Sequence, residues 1–339
     1  MDEKMDRVRF IKYGGSYFSG RPESPFLVYD RCLTEEEPEN YRLYTDLSAD
    51  TLIVKAGTSI VSHRQKERQK YNLRFISHDL ADIRKERGMN VLLITSGAIG
   101  LGRAARLKSG EKIRNGESPE QKRTDAIKGQ PLLYRLWQSC FNDCDQYTNE
   151  KLVTHEDILD DRRSEYLMDE YQRWLSRGII PVINEDDAAS LEEIDTMLKG
   201  EKVFRDNDSL ASLHAQLLKK GGYKPLLVML SNTDGIYTSE SFRNHEYTPI
   251  RIVKDSTGLE EHALDISSSR GRGGMVSKID AARNAARSCV HTVIANGQYC
   301  NHDSAYQKGR EGSRRKYDVL HSILDKKVVG TRFTPESSA

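Results

Sequence analysis

From Thr51 onward the chain alternates between two kinds of segment, and that alternation restricts its fold more than any other feature. Short apolar runs bounded by Gly, Asn or Asp are separated by longer charged stretches of helical period. Strands separated by helices predict α/β architecture with a parallel sheet. The runs Thr51 to Ala56, Asn90 to Thr95, Lys151 to Thr154, Ile179 to Ile183, Leu226 to Leu230 and His291 to Ala295 read as strands. They are near-continuous in Val, Ile and Leu, so the sheet is expected to be covered on both faces. Helices are expected at Gln65 to Arg87, Pro131 to Thr148, Arg163 to Arg177, Asp208 to Lys219 and Met275 to Ser288. The first fifty residues differ, with scattered tyrosines and an acidic run from Glu35 to Glu39 broken by Pro38. They read as an N-terminal extension of uncertain order, ahead of one domain at 51–335.

Charge and hydropathy remove several classes of function. The 52 basic and 51 acidic residues leave a net charge of +1, so nothing in the whole-chain charge favours nucleic acid as a partner. The longest apolar runs, such as Val91 to Ile94, fall far short of the roughly 18 residues of a membrane span. The N-terminus mixes Asp2, Glu3 and Asp6 with basic residues and has no apolar core of a secretory signal. Five cysteines without metal-ligand spacing fit a reducing compartment, and a cytoplasmic location is expected. Cys140 and Cys144, four residues apart in a helical stretch, read as packing residues.

In an open parallel sheet ligands bind at the carboxyl ends of strands. The first strand runs into Lys55-Ala56-Gly57-Thr58-Ser59, placing an ammonium group beside a residue without a side chain. The second runs into Ser96-Gly97-Ala98-Ile99-Gly100, small residues ahead of a helix and thus a potential anion site. Neither has P-loop spacing. Gly271 to Lys278 repeats the theme at the head of an Ala-rich helix. An RGG-like RNA contact at Ser269 to Gly274 is set aside, because it occurs once in a near-neutral chain. Between these loops lie two acidic groups, Asn184-Glu185-Asp186-Asp187 and Arg205-Asp206-Asn207-Asp208. Such carboxylates cap helices, orient lysines, hold Mg²⁺ through water or receive a substrate ammonium.

Eight runs together carry a family resemblance: IVKAGTS at 53–59, LITSGAIGLG at 93–102, KGQ at 128–130, GIIPVINEDDA at 178–188, FRDNDSLASLHA at 204–215, LSNTDGIY at 230–237, GRGGMVSKIDAA at 271–282 and IANG at 294–297. In this order they resemble the glutamate 5-kinases of the amino acid kinase family, over roughly residues 51–335. The resemblance implies a three-layer αβα sandwich around a mainly parallel sheet. It implies L-glutamate over the N-terminal half and ATP, with Mg²⁺, over the C-terminal half. By the same resemblance Lys55 and Lys278 contact phosphate and Asp206 organises the lysines, while Ser96, Asp187 and Asn207 contact glutamate. Gly57, Ser231, Asn232 and the loop Arg272, Gly273, Gly274, Met275, Val276, Ser277 and Lys278 fall where the family binds nucleotide. Proline as feedback inhibitor and a homo-oligomer are further implications. Five positions depart from the family pattern: Arg205 for Gly, Ser231-Asn232 for Thr-Asp, Arg272 for Thr and Asp186 for Asn. Many relatives carry a C-terminal PUA domain, and this sequence is expected to be the kinase domain alone. The residues by themselves leave open a kinase for N-acetylglutamate, aspartate or a nucleoside monophosphate, or an inactive binder that regulates a partner.

Overall fold

A computed structural model describes residues 26–27, 48–61, 66–111, 118–189, 196–198, 201–203, 206–238, 249–254, 259, 274–298 and 319–335. Most of the N-terminal extension, Arg205, Gly271 to Gly273 with Arg272, and the basic stretch Lys308 to Lys316 lie outside the described residues. The strands are β1 (Phe26–Leu27), β2 (Thr51–Ala56), β3 (Asn90–Thr95), β4 (Thr148–Val153), β5 (Ile180–Glu185), β6 (Thr196–Leu198), β7 (Glu201–Val203), β8 (Pro225–Ser231), β9 (Ile252–Val253), β10 (His291–Asn296) and β11 (Thr331–Phe333). The helices are α1 (Thr58–Val61), α2 (Lys66–Arg87), α3 (Ala98–Lys108), α4 (Pro119–Asn142), α5 (His155–Leu159), α6 (Asp161–Ser176), α7 (Asn207–Lys220), α8 (Met275–Arg287) and α9 (Val319–Leu324).

Nine strands form one sheet in the order β1-β9-β11-β10-β8-β2-β3-β5-β4, and β6 pairs with β7 separately. The six central strands from β10 to β4 are all parallel. Within this sheet the antiparallel strand pairs are β10 with β11 and β1 with β9, and the separate β6–β7 pair is antiparallel too. Period-two alternation divides the strand side chains between two cores. Leu52, Val54, Val91, Leu93, Val228 and Leu230 pack under α2, α4 and α9. Ile53, Leu92, Ile94, Leu227, Met229 and Ile294 pack under α6, α7 and α8. The result is a three-layer αβα sandwich, as expected. The first central strand, β2, sits between β3 and β8, so the chain winds outward from it in both directions. A crevice opens at such a switch point, above the carboxyl end of β2.

β2 and β3 match the sequence expectation; the largest differences lie around β4 and the helix before it, which ends at Asn142 and not at the expected Thr148. The strand placed at Lys151 to Thr154 runs from Thr148 to Val153. The helix expected to begin at Pro131 begins twelve residues earlier, at Pro119, behind a capping box in which Ser118 accepts from Gln121 N and Gln121 answers the Ser118 N–H. Pro131 is interior to α4. It removes one amide donor from the helix ladder on an exposed part of the surface.

Tight packing fixes α3 against α4. A Cβ on Gly102 would stand 1.9 Å from Asp125 O, and one on Gly129 1.8 Å from Ala98 O, so only glycine admits this helix crossing. Buried Arg106 then grips Asp125 through Nε to Oδ1 at 2.6 Å and a second guanidinium nitrogen to Oδ2 at 2.8 Å. Trp137 Nε1 donates to Thr95 Oγ1 at 2.8 Å and so ties α4 to the end of β3.

Candidate active site

Lys55 shares the parity of Ile53 along β2, and its side chain therefore leaves the sheet on the side of α7 and α8. There it meets Asp208 in the first turn of α7, with Lys55 Nζ 2.7 Å from Asp208 Oδ1. The other carboxylate oxygen of Asp208 lies 3.0 Å from Lys278 Nζ, in the first turn of α8. Asp208 is fully buried, and both lysines are more than nine-tenths buried. The expectation put Asp206 between the lysines; the structure puts Asp208 there.

Asp206 has a different geometry. It is the N-cap of α7, its Oδ1 accepting from Asp208 N at 3.0 Å and Ser209 N at 2.9 Å. Its Oδ2 accepts from Ser277 Oγ on α8. Two neighbouring acids thus divide two tasks, one holding ammonium groups and the other joining helix ends.

Charge and burial compete at this centre. Burial pushes Lys55 below the usual lysine range; Asp208 opposes the shift and neighbouring Lys278 adds to it. For Asp208 burial acts upward, but Lys278 and Lys55 outweigh it and hold the carboxyl below the usual range. Asp206 adds a second carboxylate near Lys55, so two acidic groups stand with the two ammonium groups at this centre. Above it stands Gly57, where a Cβ would come within 3.4 Å of Lys55 Nζ and occupy approach space for an anion.

The remaining sequence-predicted residues fall along the same edge of the sheet. Ser96 is buried at the end of β3, ahead of Gly97, whose φ of 114° opens α3 in a conformation that favours glycine. Gly274 caps α8, so Met275, Val276, Ser277 and Lys278 form its first turn. Ser277 has its hydroxyl committed to Asp206. Ser231 ends β8 with its hydroxyl 3.3 Å from that of Thr233, and Asn232 beyond it is exposed. Arg272 and Gly273 lie outside the described residues.

The acidic turn after β5 stands on the other side of the crevice. Asn207 Oδ1, at the head of α7, accepts from Glu185 N at 3.3 Å. Asn184 is buried, donates to Gln130 Oε1 at 2.7 Å, and leaves its own Oδ1 without a hydrogen-bond partner. Glu185, Asp186 and Asp187 line a cavity of about 440 Å³ together with Gln130, Tyr134 and Arg135 of α4. Neither lysine lines that cavity. Among the described residues no three His, Cys, Asp or Glu side chains gather as metal ligands. No described helix is long and apolar enough to cross a membrane.

Residues 50–296 match the profile of the Amino acid kinase family. The chain belongs to the amino acid kinase family. Among curated relatives, a glutamate 5-kinase of Clostridium acetobutylicum is 30% identical over 294 residues, covering 86% of this chain and 96% of the relative. One from Caldanaerobacter subterraneus is 33% identical over 290 residues, covering 84% of this chain and 68% of its own. Solved structures of isopentenyl phosphate kinase superpose with TM-scores of 0.50 and 0.51 at 16% identity, over 84% of this chain. At that identity they show the fold alone. Within this amino acid kinase, sequence reading missed Asp208 as the lysine partner and gave no role to His155 or Ser209. Both acids stand in one acidic run, and nothing in the sequence marks His155.

Proposed function

We infer that this amino acid kinase transfers the γ-phosphoryl group of ATP to the γ-carboxylate of L-glutamate, giving L-glutamyl 5-phosphate, the first step of proline biosynthesis. The observation that carries the reading is the Lys55–Asp208–Lys278 arrangement above the central strand, in a chain 30% identical to a glutamate 5-kinase over 96% of that relative's length. The acceptor needs no general base, because a glutamate side chain with pKa near 4.3 is already ionised at neutral pH. The barrier is the approach of one anion to another. Lys55 and Lys278 lower it by facing the phosphoryl group as its charge redistributes, and Asp208 keeps the two ammonium groups from separating. A carboxylate oxygen forms the new bond to phosphorus, the bond to the bridging oxygen breaks, and ADP departs with that electron pair.

On this reading the nucleotide phosphates lie along the N-terminus of α8, where unpaired amide groups favour anions. Glutamate lies across the crevice, with Asp187 pairing its α-ammonium and Ser96 and Asn207 contacting it. The orphaned Asn184 Oδ1 supports this placement, since a buried acceptor without a donor is satisfied by a ligand N–H. Mg²⁺ is assigned to the nucleotide, where it would neutralise phosphate charge. A homo-oligomer, proline as feedback inhibitor and a cytoplasmic location belong to the same reading.

Comparing acceptors tests it. N-acetylglutamate lacks the α-ammonium and should turn over far more slowly than glutamate. Equal or faster turnover of the acetylated acid would remove the glutamate reading and leave the broader kinase assignment.

A further inference from the structure

A buried histidine links the acidic turn to the lysine centre. His155 opens α5 and is 3% exposed. Its Nε2 lies 2.8 Å from Ser209 Oγ, and its Nδ1 lies 3.2 Å from Glu185 Oε1 without the alignment of a hydrogen bond. Ser209 is the residue after Asp208. Its hydroxyl accepts from Asp206 N at 3.0 Å and donates to Asp206 O at 2.8 Å. A hydroxyl has one proton to give. With that proton on Asp206 O, Ser209 meets His155 as an acceptor and Nε2 is the donor. The main chain closes the ring, because Glu185 N donates to Asn207 Oδ1.

These contacts fasten the end of β5 to the first turn of α7 by two routes, one through His155 and one through Asn207. An apolar side chain could fill the same volume without desolvating an imidazole and a carboxylate. What the polar ring adds is register: it fixes how far the acidic turn stands from the carboxylate that holds both lysines. Asp206, held by Ser209, passes the constraint to α8 through Ser277.

We propose that His155 is a positioning residue which, through Ser209 and Glu185, sets the distance between the acceptor's acidic turn and the Lys55–Asp208–Lys278 centre. The proposal rests on the reading of that turn as the acceptor side. His155 touches no reacting atom. Misplacement of one reactant by about 1 Å costs up to a hundredfold in rate without weakening the binding of the other.

The experiment is a cycle of His155→Phe, which keeps a ring and loses both nitrogens, Ser209→Ala, and the double variant. Wild type is assayed beside them for glutamate-dependent ADP release. Each single variant should lose about tenfold or more in kcat, with KM for ATP within about twofold of wild type. The double variant should be no slower than the worse single, because both remove one link. His155→Gln, which retains an N–H toward Ser209, should recover most of the rate. Wild-type kcat in His155→Phe, multiplying losses in the double variant, or a Gln variant no faster than Phe would overturn the proposal. If His155→Phe does not fold, Ser209→Ala and His155→Gln give the same contrast. If wild type does not turn over glutamate, the functional reading fails instead. The link is then read from thermal unfolding, where the double variant should melt no lower than the worse single and additive losses would overturn it.

Discussion

Ser277 on α8 donates its hydroxyl to the carboxylate of Asp206, so the helix carrying Lys278 is fastened to the helix carrying Asp208 at their N-termini. The two lysines reach one carboxylate because two helix ends and one strand end converge. That convergence gives neighbouring aspartates separable roles.

Asp208→Asn should lower kcat by about a hundredfold or more, since two buried ammonium groups would then face each other without the carboxylate between them. Asp206→Asn should cost less than about tenfold in kcat and lower Tm modestly, because Asn caps α7 as well as Asp does but lacks the second carboxylate oxygen that accepts from Ser277. Measuring kcat and Tm for both variants separates the tasks. Equal losses of kcat would show that the capping carboxylate also carries catalytic charge.

Lys278→Ala should lower kcat at least about a hundredfold. Lys55 supplies a pH signature. Its folded-state value lies below 10.5 because burial disfavours the ammonium, so the charged form is lost as pH rises toward that value. The alkaline fall of kcat/KM, which reports the free enzyme, should therefore begin below pH 10.5, and Lys55→Arg, which stays charged, should move that limb upward. A limb unmoved in an active Lys55→Arg enzyme would assign the titration to another group.

Asp187→Asn should raise KM for glutamate by at least about tenfold while KM for ATP stays within about threefold. Loss of one partner from a desolvated charge pair costs about 2 to 5 kcal/mol. A parallel rise in both constants would indicate that the turn shapes the whole crevice and does not grip the ammonium.

Stability should decline in mild acid through a group far from catalysis. His214 is fully buried, bonded through Nδ1 to Leu210 O and through Nε2 to the Tyr171 hydroxyl, each at 2.8 Å. Burial pushes it down from 6.5 to about 4; His155 adds to the shift, and the Leu210 carbonyl opposes it. Between those values the unfolded chain binds the proton and the folded chain does not. Stability from this group is thus complete above pH 6.5 and is lost as pH falls toward 4, by about 3 kcal/mol. Urea unfolding at pH 7 and pH 5 should show about 2 kcal/mol of this loss, and His214→Phe should reduce the slope.

Much of this architecture can be read directly from residues. β2 and β3 are legible because their apolar runs are bounded by Asp50 and Gly57 and by Met89 and Ser96, with no competing period. The start of α4 is written in Ser118-Pro119-Glu120-Gln121, a cap followed by proline at the first helical position and Gln three residues on, but Pro131 repeats the proline signal inside the helix and draws the boundary to itself. Lys55, Gly57 and Lys278 are legible because lysine beside glycine at a strand or helix end is an unusual pattern. Asp208 is harder: within Asp206-Asn207-Asp208, adjacent residues of a first turn point about 100° apart, and only the packing of α7 over β2 decides which faces the lysine. His155 has no sequence signal, since its partners Glu185 and Ser209 lie 30 and 54 residues away.

The most direct test of the account measures glutamate-dependent ADP release with hydroxylamine present to trap an acyl phosphate. The account predicts ADP and γ-glutamyl hydroxamate in equal amounts, each abolished together in Lys278→Ala. ADP release without hydroxamate, or hydroxamate at the wild-type rate in Lys278→Ala, would contradict it.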